Sequence, residues 1–372
     1  MKKAFTIAEL VVAVGLMAVV LAGTGYIFKV AVDAQRAAGA TSEIMRNLRG
    51  ITDQLNNDFA GLQADAPMAI WFQQDAGSEP NRYDQIMFFA AGDFSSYRSD
   101  YGIASPTGND VLKGNAARIW YGQADTNDPK EKPSDIKRPS DLQRPAARIL
   151  ARNQHILNPN PAYTGSYDWP KIGFSGFTNP RVNGRQENEI FEYDTLSLAQ
   201  WKIVKFDPDF KSTIVPNCLG DDPLPNNQRP TVTVSDPCTF NNLMCKGVGS
   251  FAVQWGYWYV DNSASPPINE WRWWPSDDPD GDKNNSDSHF GVSYMNKDFF
   301  GVYFNVDVGT ATNFPNWFVP AGAVYETGAE SVGLVNRSGI TPKALKFTFR
   351  LYDSKGIIKN GLKFTHIVYL KQ

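Results

Sequence analysis

From Leu10 to Phe28 the chain carries no charged side chain. At about 1.5 Å per residue, a helix of that length reaches through most of a hydrocarbon layer about 30 Å thick. Lys2 and Lys3 precede the run and place the extreme N-terminus on the cytoplasmic side of a membrane. Glu9 stands at the head of the run, where burial in lipid is costly, so its carboxylate calls for a partner. Two ordinary readings compete. One is a cleaved secretory signal, with Ala22-Gly23-Thr24-Gly25 as the small-residue site. The other is a plain single-pass anchor. Against the signal peptide, the acid comes before the apolar run, and the helical pattern continues past Phe28.

That continuation is amphipathic. Ile44, Leu48, Ile51, Leu55, Phe59 and Leu62 recur at steps of three and four, which makes one apolar stripe. Arg46, Arg49, Asp53 and Asp58 are assigned to the other face. Gly61 and the Asp65-Ala66-Pro67 sequence end the helix. The expectation is one helix of roughly 85 Å from Phe5 to about Gly61. Its first half lies in lipid or a filament core, and its second half lies against a globular domain. Gly15, Gly23 and Gly25 mark places for a bend or a close helix approach.

The leader Lys2-Lys3-Ala4-Phe5-Thr6-Ile7-Ala8-Glu9-Leu10 resembles that of type IV pilins and type II secretion pseudopilins. The resemblance implies cleavage by a prepilin peptidase between Ala4 and Phe5, and methylation of the new amine on Phe5. Glu9 then becomes the fifth mature residue, the acidic position through which subunits pair in assembled filaments. Ala4 and Ala8 depart from the family pattern, which has Gly before the cut and a bulkier residue where Ala8 stands.

The 372 residues, less the helix, suit one large domain or two small ones. Loss of Met1 to Ala4 takes away two lysines and leaves 34 basic against 39 acidic residues, a net of −5. That is not the field of a nucleic-acid binder. With 24 prolines and 30 glycines, the domain is expected to be β-rich with long loops. In a compartment outside the inner membrane, Cys218, Cys238 and Cys245 predict one disulfide and one free thiol, with Cys218 paired to Cys238 or Cys245. Zinc finds no Cys-x-x-Cys spacing here.

Short apolar runs predict strands at Met68–Phe72, Gln85–Ala90, Arg118–Tyr121 and Ala147–Leu157. Asp125–Pro145 reads as an exposed loop, Glu192–Lys202 as a short helix, and the cysteine segment as irregular. Phe251, Val253, Trp255, Tyr257 and Tyr259 alternate along a half-buried strand, with Glu270–Trp274 as its partner. Ala344–Tyr352 and Leu362–Leu370, joined by an Asp353-Ser354-Lys355-Gly356 turn, form a terminal β pair.

A narrower resemblance rests on three stretches: Asp53–Asp58, the Trp-rich hairpin Phe251–Trp274, and the closing ALKFTFRLYDSKG…FTHIVYL pattern. They are similar to the J-type minor pseudopilin of type II secretion and to W-type minor pilins. Stretches near 95–190 and 275–340 look like insertions.

Other signals are weaker. Asp278, Asp280 and Asp282 alternate as at the start of a calcium loop, although the sixth and twelfth positions do not fit and a solvated loop is the plainer reading. Trp255, Trp258, Trp271, Trp273 and Trp274 suit core packing or, in part, a sugar platform. His155, His289 and His366 are scattered, His366 as a packed strand residue. No zinc-protease, Walker, dinucleotide or nucleophile-elbow motif is present.

The reading is an α+β pseudopilin-like protein and not an enzyme. It divides into a leader (1–4), a transmembrane or filament-core helix (5–30), its amphipathic continuation (31–65) and a periplasmic β-rich domain (66–372). It needs no cofactor, with calcium as the one candidate. The resemblance implies an inner-membrane subunit at or near the tip of a secretion pseudopilus. Its partners there are the prepilin peptidase, the major pseudopilin and other minor pseudopilins, of I and K type. A type IV pilus minor subunit, for adhesion, motility or DNA uptake, and an anchored glycan-binding protein are the alternatives.

Overall fold

The computed structural model describes residues 6–73, 81–96, 112–126, 142, 144–157, 193–194, 197–204, 231–232, 243–261, 268–274, 299–304, 317–318 and 342–370. One helix, α1 (Ile7–Ala60), runs 54 residues, about 81 Å at ~1.5 Å per residue. The domain follows it. Strands β1 (Met68–Gln73), β2 (Gln85–Ser96), β3 (Leu112–Gln123), β4 (Asp125–Thr126), β5 (Ile149–Leu157) and β6 (Tyr193–Asp194) precede a short helix α2 (Leu198–Val204). Then come β7 (Thr231–Val232), β8 (Leu243–Lys246), β9 (Val248–Asp261), β10 (Ile268–Trp274), β11 (Phe299–Phe304), β12 (Trp317–Phe318), β13 (Ala344–Leu351) and β14 (Leu362–Tyr369).

Among the described residues two sheets carry the fold. The larger has the order β12-β11-β1-β2-β3-β5-β6 with β8 beside β5, and the smaller has β10-β9-β13-β14. Pairing is antiparallel throughout the smaller sheet and through most of the larger, where only the short β11–β12 and β5–β6 contacts run parallel. One long apolar helix with antiparallel sheets makes the molecule α+β.

The helix stripe joins the two sheets. Ile44, Ile51, Leu55 and Phe59 share one core with Ile70, Phe88 and Ile119 of the larger sheet and Phe251, Val253 and Phe347 of the smaller. Phe59 stacks on Phe88 at 4.1 Å and lies 5.6 Å from Phe347, so one ring touches both layers. Burying each such side chain contributes about 1.5–3 kcal/mol. Past the helix the chain pairs at once with β2, through Ala91 N–H to Gly61 O at 2.7 Å. A Cβ on Gly61 would lie 2.0 Å from the Ala91 carbonyl oxygen, so glycine is what lets α1 end against the sheet.

A buried carboxylate ties the sheets together elsewhere. Asp84 accepts from Gln73 N–H at 3.3 Å and Val253 N–H at 2.7 Å, and it pairs with Arg82. Burial pushes the Asp84 carboxyl upward, against the pull of Arg82 and these N–H donors. Arg82 in turn donates to the Val253 carbonyl at 3.2 Å.

Several expectations are met. The terminal hairpin pairs from Ala344↔Tyr369 to Leu351↔Leu362, and β10 pairs β9 over its whole length. Others shift. Residues 95–190, suggested as an insertion, supply β3 and β5, whose Ile119, Tyr121 and Leu150 are fully buried. The strands expected at Arg118–Tyr121 and Ala147–Leu157 are these two, so this part of the stretch belongs to the sheet. The expected helix at Glu192–Lys202 begins later, because Tyr193 and Asp194 pair with Ile156 and Leu157. Asp125, placed in an exposed loop, is 4% exposed in a parallel pair with Thr231.

Strand β9 is enclosed on both sides over 251–256 rather than half-buried. Its inward Phe251, Val253 and Trp255 face the core. On the outward side the Trp271 ring lies so close over Gly256 that a Cβ there would sit 2.2 Å from it.

Candidate membrane-anchoring and assembly helix

The two halves of α1 have different surroundings. From Ile7 to Val30 every large apolar side chain is exposed, from Ile7 at 83% to Val30 at 49%. An 18-residue window of this half reaches a mean hydropathy of 2.3, with none of it buried. It is the single helix among the described residues long and apolar enough to cross a membrane. Cβ atoms added at Gly15, Gly23 and Gly25 would meet nothing within 4 Å, so all faces are open there. An apolar surface of this extent is covered in the working protein by lipid or other helices.

Ala4 and Phe5 lie outside the described residues. Glu9 does not stand alone at the head of the helix. Thr6 is the N-cap, and its N–H and hydroxyl donate to Glu9 Oε2 at 2.9 and 3.0 Å. Glu9 N–H donates back to Thr6 Oγ1 at 3.3 Å. This is a reciprocal capping box, which satisfies helix donors that have no intrahelical acceptor. Its signal, Thr6-x-x-Glu9, is present in the sequence beside the charge that marks Glu9.

From Ala40 onward the helix is held. Ile44, Ile51, Leu55 and Phe59 are buried, and Leu48 and Leu62 pack partly against the same core. Asp58 is the correction on this helix. Assigned to the solvated face, it is 5% exposed. Arg152 of β5 donates to it twice, from Nε at 2.7 Å and Nη2 at 2.9 Å. Gln54 donates at 3.1 Å, and the Tyr121 hydroxyl of β3 also donates. Burial and the Asp58 charge hold the Tyr121 phenol well above its usual range, so it remains a donor. Spacing gives the reason: Asp58 follows Ile44 and Ile51 at steps of seven and therefore shares their stripe. This network fixes the end of α1 to two strands, β3 and β5.

The other candidates divide. Cys245 is a free, buried thiol, pushed up to about 11 by burial and by Glu43; Cys218 and Cys238 lie outside the described residues. Asp278, Asp280 and Asp282 lie outside them as well. Among the described residues no group of three or more acidic, His or Cys side chains is placed to hold a metal. Trp255 is in the core, 5.5 Å and edge-on to Phe304. Trp271 and Trp273 stand edge-to-face at 5.6 Å, half-buried, with the Lys346 ammonium 5.1 Å above Trp273. The Trp258 and Trp274 side chains lie outside the described residues. His155 is buried, His366 is half-buried and bonded to Asn56 of α1 at 2.9 Å, and His289 is outside the described residues.

The bare apolar half, the capped Glu9 and the clamped second half together form one continuous helical post with a domain packed on one end. Comparison of the chain with protein-family models, with curated proteins and with solved structures finds no match to any of them.

Proposed function

We propose that the chain is a prepilin-processed minor subunit of a type II secretion pseudopilus, of the J type. It works by assembly and not by catalysis. The observation that carries this reading is the continuity of α1. One uninterrupted helix presents a wholly exposed apolar half headed by Glu9, and it clamps a β domain on its other half. Such a post can leave lipid for a helix bundle while the domain stays outside. In the bundle the Glu9 carboxylate would exchange its capping contacts for the new amine of a neighbour, since a lone carboxylate among apolar helices is costly.

The test separates the two roles of Glu9. A deletion strain is complemented with the wild-type chain, with Glu9→Gln or with Thr6→Ala. Glutamine serves a capping box as well as glutamate does. Under the assembly reading, Glu9→Gln fails to restore export across the outer membrane, whereas Thr6→Ala restores most of it. Full restoration by Glu9→Gln would contradict the reading. Loss of surface pili with export intact would move the chain to the type IV pilus.

A further inference from the structure

The domain carries a segregated charge. Between Pro342 and Leu370 stand six cations and one carboxylate, a net of +5 on a chain whose remainder is −8. The carboxylate, Asp353, is buried and accepts the N–H groups of Lys355, Ile357 and Ile358 at 3.1, 2.9 and 2.8 Å.

Most of these cations gather at one end. The turn between β13 and β14 is held to α1 by Glu43, whose carboxylate accepts Ser354 N–H and hydroxyl at 3.1 Å each. Further along the same strand, His366 meets Asn56. Strand β14 therefore runs beside α1 in the same direction, and its turn is at the end nearest the apolar half. Arg350 and Lys363 are cross-strand partners just above the turn, and Lys355 and Lys359 are in it. Lys246 joins them from β8, because Gly247 O accepts from Tyr352 N–H at 2.8 Å. Arg46 of α1 lines the same hollow as Ser354. Of these six, five are exposed and Arg350 is half-exposed. Glu43, engaged by Ser354, is the one other carboxylate placed there among the described residues.

We propose that this basic underside docks on the anionic phospholipid headgroups of the membrane that holds α1, in the subunit before assembly. The occupant follows from position as well as charge. The underside faces along α1 towards its apolar half, so the surface it meets first is the one the helix enters. Phe28 to Glu43 spans about 22 Å of helix, and a headgroup layer of roughly 6 Å leaves about 16 Å. An extended lysine, a helix tilt of roughly 20° and a Debye length of about 8 Å span that distance. Lysines near an anionic bilayer gain about 1 kcal/mol each. The docked domain is a low-salt, membrane-bound resting position from which entry into a filament releases it. The proposal rests on membrane insertion of α1 but not on which filament the chain joins.

The test uses the full chain in nanodiscs of phosphatidylcholine with phosphatidylglycerol and in nanodiscs of phosphatidylcholine alone. Lysine acylation rates are read by peptide mass spectrometry at low and high salt. Lys246, Lys355, Lys359 and Lys363 should label roughly fivefold more slowly in the anionic discs, as 1 kcal/mol implies. The protection should vanish at high salt. Lys343, exposed at the far end of β13, should label alike in both. The triple variant Lys355→Glu, Lys359→Glu, Lys363→Glu should lose the protection of Lys246. Equal rates in both discs with α1 inserted would overturn the proposal alone, and so would protection indifferent to lipid charge, the mark of a protein surface covering these lysines. A chain that does not insert would overturn the anchor and the proposal together.

Discussion

The two halves of α1 are a comparison within one element. Both are regular helix, and no break separates them. Residues 44–59 bury a stripe between two sheets and add a charged clamp at Asp58, whereas residues 7–30 bury nothing. Backbone geometry is the same, so the difference lies in the solvent each half is made for. One half is apolar on every face and suits lipid or a bundle. The other is apolar on one stripe and suits a domain.

The largest effect on membrane retention should come from setting a charge in the bare half. Val20→Arg places a guanidinium at mid-span, where it costs about 2.5–3.5 kcal/mol of insertion. The chain should then appear in the carbonate-extractable fraction, with the unfolding transition of its domain unchanged. A lowered transition would mean that this half supports the domain after all.

The largest effect on folding belongs to the clamped half. Asp58→Ala leaves Arg152 Nε and Nη2 and the Tyr121 hydroxyl without their acceptor, while Gln154 still accepts from Arg152 Nη1. It should cost about 3–5 kcal/mol in denaturant unfolding of the full chain in detergent. Membrane retention should not change. A cost below about 1 kcal/mol, the scale of one ordinary hydrogen bond, would mean that the apolar stripe alone holds the helix.

The smallest effect is one of pH and concerns the sheet that the helix is clamped to. Burial first, and the neighbouring Arg118 second, hold the His155 imidazole well below its ordinary 6.5. The unfolded chain therefore binds the proton more readily than the folded one. Stability from this group is complete above about pH 6.5, and it declines as the pH falls from there towards the folded-state value. His155→Gln should flatten that acid limb of the unfolding profile. An unchanged limb would assign it to other groups.

Much of the helix was legible in the sequence because its signals are local. The charge-free run, the stripe and the end at Gly61 all follow from spacing. Asp58 departs from the expectation because its step of seven from Ile51 outweighs the usual preference of a carboxylate for solvent. The terminal hairpin was legible from clean alternation, Leu345 to Leu351 inward against Lys346 to Arg350 outward. Strand β5 was legible almost to its ends, whereas β3 was legible only over Arg118–Tyr121, since its first half is polar and a distant partner, Val248, accepts from Gln123 at its end. The basic underside combines residues 46, 246 and 350–363, which only the fold brings to one end.

The most direct measurement is the mass of the N-terminal peptide of the chain extracted from its native membrane. A peptide that begins at Phe5 and carries one added methyl group is the predicted result, and it would place the chain on the prepilin pathway. An intact Met1, or a new end within Ala22–Gly25, would contradict the account and leave an anchored or secreted β domain.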